Sequence, residues 1–62
     1  MYATYVRLRD LKGYRDVDVS KATNIPQSTF SEWKKGKSNP KLEKLVKIAK
    51  CLGVSVDEFV KE

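Results

Sequence analysis

The stretch Ser20 to Leu42, "SKATNIPQSTFSEWKKGKSNPKL", decides the reading of this chain. Two short polar–apolar segments meet at Asn24, and lysines then crowd around Gly36. Counted from Asp16, the fourth position is Val19, the fifth Ser20, the ninth Asn24, the tenth Ile25, the fifteenth Phe30 and the eighteenth Trp33. Two helices that cross steeply through a short turn need these residue types in this order. A small residue lets the backbones approach, a residue tolerant of positive φ makes the turn, and apolar residues meet the core. Ser20 is small, and Asn enters the left-handed region more cheaply than other non-glycine residues. The spacing predicts a helix-turn-helix.

Working outward, the helix signals continue. A first helix is expected from about Ala3 to Lys12, with Tyr5, Leu8 and Leu11 on one face and Gly13 ending it. Tyr14 is expected to pack under the following turn. A second helix is expected from about Asp16 to Thr23, with Val19 and Thr23 inward. Pro26 starts a third, because proline fixes φ and disfavours helix in the residue before it. That helix continues to Lys35 and stops at Gly36, with Phe30 and Trp33 as its apolar stripe. Asn39 as N-cap and Pro40 at the first helical position open a fourth. Leu42, Leu45, Val46, Ala49 and Leu52 form its inner face, with Ile48 at the edge, and Gly53 closes it. Ser55 and Glu58 make a capping box for a fifth helix, whose apolar side is Val56, Phe59 and Val60. Five short helices with brief connections give an all-α bundle in a single domain, residues 1–62.

Composition narrows the partners. Lys34 to Lys50 holds seven lysines against the single acid Glu43, while the rest of the chain carries slightly more acid than base. A blocked basic field of this kind points to a polyanion: nucleic acid first, an anionic membrane surface second. Cys51 is the only cysteine, so no internal disulfide is possible, and a reducing, cytoplasmic setting is expected. Cys51 falls on the side of the fourth helix away from Leu42 and Ala49, partly covered near the fifth. There is no histidine, so neither a zinc site nor histidine-dependent catalysis is expected, and no cofactor or metal is called for. No apolar run approaches the ~20 residues that span a bilayer.

From Ile25 to Lys37, then Pro40-Lys41-Leu42, then Leu52-Gly53-Val54-Ser55-Val56-Asp57, the chain resembles the DNA-binding domain of the phage repressor and Cro family, also called the XRE family of transcriptional regulators. The similarity runs from about Tyr5 to the end. It implies a lambda-repressor-like five-helix fold whose third helix, Gln27 to Lys35, enters the major groove of double-stranded DNA. Gln27, Ser28, Thr29, Ser31 and Glu32 would meet base edges and nearby phosphates. Their chemistry suits this: Gln pairs with the N6/N7 edge of adenine, Glu accepts from cytosine N4, Ser and Thr bond either way, and Thr offers a methyl to thymine. Lys34, Lys35, Lys37 and Lys41 follow where the family's chain runs along the sugar–phosphate backbone, and Arg9 and Arg15 are further candidates for phosphate.

Several positions depart from the family pattern. Asp16 stands where relatives often carry a phosphate-touching Gln. Arg9 and Lys34 stand where many relatives form a salt bridge, so Arg9 must be solvated, pair with Asp10 or another acid, or touch phosphate. Pro26 replaces the usual Ser or Thr cap. The expected function is a repressor-type regulator that binds a palindromic operator as a homodimer, with the fifth helix as the dimer contact unless the core absorbs it. No membrane or small-molecule partner is expected. The alternative is a protein-interaction module such as an antitoxin, with DNA binding secondary.

Overall fold

The computed structural model describes residues 2–60, the side chain of Val60 excepted. Five helices follow in order: α1 (Tyr2–Leu11), α2 (Asp16–Thr23), α3 (Gln27–Lys34), α4 (Leu42–Leu52) and α5 (Asp57–Val60). Among the described residues there is no strand. The helix α2 packs on both α3 and α4, and α1 packs on α5.

Local chemistry sets the helix limits. Gly13 and Gly53 lie at φ 74° and 72°, so α1 and α4 end where the sequence predicts. At the start of α2 the Arg15 amide donates to the Asp18 carboxylate at 2.8 Å, satisfying a donor that the helix leaves open. The capping box expected at α5 is half formed. Ser55 Oγ accepts from the Asp57 amide at 3.2 Å, and no return bond to Glu58 accompanies it among the described residues.

The start of α4 differs from expectation. Asn39 is not the N-cap and Pro40 is not helical. Pro40 is buried, the chain stays extended through Lys41 (φ −71°, ψ 164°), and the helix begins two residues later at Leu42. The Lys41 carbonyl then accepts from the amides of Lys44 and Leu45 at 2.9 and 3.0 Å. Burial of Pro40 in the loop takes the place of its usual preference for a first helical turn.

The core joins Tyr5 and Leu8 of α1, Val19 of α2, Ile25 of the turn, Phe30 and Trp33 of α3, Leu45, Ile48, Ala49 and Leu52 of α4, and Phe59 of α5. Ile48, expected at the edge of its face, is fully buried, whereas Leu42 is 63% exposed. Leu11 and Tyr14, both expected to pack inward, are exposed at 75% and 38%. Leu11 and Leu42 are each the terminal residue of a helix, where the correct face of the cylinder no longer guarantees a neighbour. Phe59 is absorbed by the core, so its ring is not a dimer surface. Val60, named in the same expectation, has its side chain outside the described residues.

Candidate nucleic-acid interface

The turn between α2 and α3 is built as its spacing requires. Asn24 adopts φ 62° and ψ 25°, and it is the only non-glycine residue with positive φ among the described residues. Ser20 Oγ donates to the Ile25 carbonyl, so the small residue at the crossing also fastens the turn. Thr23 Oγ1 donates to the Val19 carbonyl at 2.7 Å and accepts from the Ile25 amide at 3.4 Å. The start of α3 is therefore fixed from below by side chains of α2.

Aromatic packing fixes its roll. The Tyr5 ring stacks on Phe30 and Trp33 with centroids at 5.3 and 5.1 Å. Tyr2 meets the Trp33 edge at 5.4 Å, and Phe59 lies 6.4 Å from Trp33. Each such pair adds about 0.5–1.5 kcal/mol beyond area burial. The inner stripe of α3 is thus clamped between α1 and α5, and the opposite face is held in a defined direction.

Gln27, Ser28, Ser31, Glu32 and Lys34 are exposed on α3, as is Lys35 just past its end. At about 100° per residue, Ser28, Ser31, Glu32 and Lys35 lie most nearly opposite Phe30 and Trp33. Thr29 is half-buried on the shoulder of the helix, beside the Trp33 side of the stripe. The Ser38 hydroxyl lies 3.5 Å from Glu32 Oε1, at the outer limit of a hydrogen bond. No ion pair joins Glu32 to a lysine among the described residues.

Pro26 caps α3 without a side-chain hydrogen bond, as the sequence implies. Its carbonyl accepts from the Thr29 amide at 3.0 Å, and among the described residues the Gln27 and Ser28 amides gain no side-chain acceptor. An open helix start of this kind presents donors and a positive dipole end to an anion. At the other end Gly36 turns the chain at φ 74°, and the Lys37 amide donates to the Glu32 carbonyl at 2.9 Å. Lys37 and Lys41 are exposed on the loop that follows.

The two arginines have different surroundings. Arg15 is open, with 81% of its side chain exposed and a loose contact to Asp18 at 3.7 Å. Arg9 is only 18% exposed. Its Nη1 donates to Asp16 at 2.8 Å, and its Nε and Nη2 donate to Asp10 at 3.1 and 3.0 Å. Three of its five N–H groups are therefore committed inside the protein. Among the fates open to Arg9, the fold realises ion pairing and leaves little of the guanidinium for phosphate. Asp16, which stands where relatives often carry a phosphate-touching Gln, accepts from both Arg9 and the Tyr5 hydroxyl. The one signal for this was the negative charge of Asp16 at a position where relatives carry Gln.

The comparisons agree with this geometry. The helix-turn-helix family model matches residues 7–59. The chain is similar to the cryptic phage CTXphi transcriptional repressor RstR of Vibrio cholerae, with 34% identity over 59 residues that cover 90% of this chain and 53% of that protein. It thus spans about half the length of that curated relative. No solved structure matches.

Proposed function

Because the chain belongs to the helix-turn-helix family, whose model matches residues 7–59, we propose that it is a transcriptional regulator, a repressor, that binds double-stranded DNA in a sequence-specific way. One observation carries the reading. The helix α3 is braced through Phe30 and Trp33 against Tyr5, while Ser28, Ser31 and Glu32 stay exposed on its outer side and Gln27 stays exposed at its start. A rigid rod with amide, hydroxyl and carboxylate tips suits the major groove, where base edges display distinct donor and acceptor patterns.

In this proposal Gln27 reads adenine and Thr29 contributes from the shoulder of the helix. Lys34, Lys35, Lys37, Lys41 and Arg15 neutralise phosphates, and the open amides at the start of α3 receive another. The protein acts in the cytoplasm and is not an enzyme. Two copies bind a palindromic operator with half-sites about 34 Å apart, because one small domain offers too little surface for tight specific binding.

Selection from random duplexes tests the reading. The expected product is a two-fold symmetric motif whose half-sites contain adenine and lose that preference in Gln27→Ala. Failure to retain any duplex at low ionic strength overturns the DNA reading. A guanine-dominated motif unchanged by Gln27→Ala overturns the role of Gln27.

A further inference from the structure

We propose that the hollow between α2 and α4 is a docking site for an acidic segment of a partner protein. The hollow measures about 410 Å³ and is lined by Ala22, Thr23, Lys47, Lys50 and Cys51. Its floor is the buried Thr23 and the half-buried, free Cys51, and its rim is the exposed Ala22, Lys47 and Lys50. The Thr23 hydroxyl is taken up by Val19 and Ile25, so the floor offers little beyond apolar contact. Cys51, expected to be partly covered, is half-buried and lines this hollow beside the end of α2.

The hollow is separate from the surface proposed for DNA. Ser20 faces the turn into α3 through its bond to Ile25. Ala22 lies two residues further on, about 200° around the helix, and so faces the other flank. No residue of α3 lines the hollow. The proposal therefore does not depend on the DNA reading.

Charge and shape select the occupant. From Lys44 to Cys51 the chain carries three lysines and no acid, and two of those lysines, one helical turn apart, form the rim. Burial raises the Cys51 thiol pKa, which keeps the floor neutral rather than repelling a carboxylate. Small-molecule sites bury about 70–90% of their ligand. Here three of the five lining residues are exposed, so a small molecule would remain largely in water. A peptide segment brings its own backbone to close the mouth. Two carboxylates reach the lysines, and a small apolar side chain between them meets Thr23 and Cys51.

The test uses the full chain, isotope-labelled, titrated with the peptide acetyl-Glu-Ala-Leu-Glu-amide. Amide shifts and the rate of Cys51 alkylation by iodoacetamide are the two readouts. Shifts should be confined to the residues around the hollow, and alkylation should slow several-fold at saturation. The Gln-Ala-Leu-Gln analogue should not bind, and Lys47→Gln with Lys50→Gln should weaken binding about tenfold while the helical signal is kept. Gln27→Ala should bind the peptide as the parent does. Equal shifts at Lys34, Lys37 and Lys41 would mean diffuse charge attraction and would overturn the proposal. So would protection of Cys51 by duplex DNA in place of the peptide, or no response at all.

Discussion

The Tyr5 hydroxyl donates to Asp16 Oδ1 at 2.6 Å, and the same oxygen accepts from Arg9 at 2.8 Å. One carboxylate at the start of α2 thereby holds two side chains of α1. The Tyr5 ring, through Phe30 and Trp33, holds α3 as well. The exposed reading face and the buried network are two ends of one connected set of side chains. Removing the Tyr5 hydroxyl should cost about 1–2 kcal/mol, since the acceptor is charged. Urea denaturation of Tyr5→Phe, Asp16→Asn and the double variant gives the coupling, expected near 1 kcal/mol; additive effects would mean that the bond does not contribute.

Stability should fall in strong alkali because of the same hydroxyl. Burial first, and then the bond to Asp16, raise the Tyr5 pKa above its ordinary value. The raised group adds stability that is present below the unfolded pKa of about 10 and is lost as pH climbs beyond it. The unfolded chain releases that proton while the native chain keeps it. Denaturation between neutral pH and strong alkali should show a decline that starts near pH 10 and becomes shallower in Tyr5→Phe. Tyrosinate absorbance should show one ring that ionises only on unfolding.

Arg9 and Arg15 should separate stability from DNA affinity. Arg9→Gln removes bonds to two acids and should cost about 1–3 kcal/mol of stability. Its effect on the salt dependence of DNA binding should be small. Arg15→Gln should leave stability unchanged and lower the log–log salt slope by about 0.9, as should Lys37→Gln or Lys41→Gln. A slope reduced by Arg9→Gln and unmoved by Arg15→Gln would reverse the assignment.

Ile48 and Leu42 lie about one and two-thirds turns apart on α4 and should differ sharply in worth. Ile48 is fully buried, so Ile48→Ala should destabilise by about 2–5 kcal/mol. Leu42 is 63% exposed, and Leu42→Ala should stay within about 0.5 kcal/mol. Thermal melts of the two variants decide this. Comparable losses would return Leu42 to the core face.

What the sequence determined by itself were the properties that neighbouring residues enforce on one another. Asn24 had to make the turn, Pro26 had to start α3, Gly36 and Gly53 had to end helices, and Phe30 with Trp33 had to face inward. The exposed positions of α3 and the lysine run beside it follow from the same local rules. Tertiary structure decided which apolar residues found cover, and it denied cover to Leu11 and Leu42 at their helix ends while granting it to Pro40 in the loop and Ile48 within α4. It also gave Arg9 its partner across the α1–α2 crossing and turned Cys51 toward α2. The physical reason is that a periodic pattern fixes the direction of a side chain about its own axis, whereas burial and ion pairing depend on where a second helix stands.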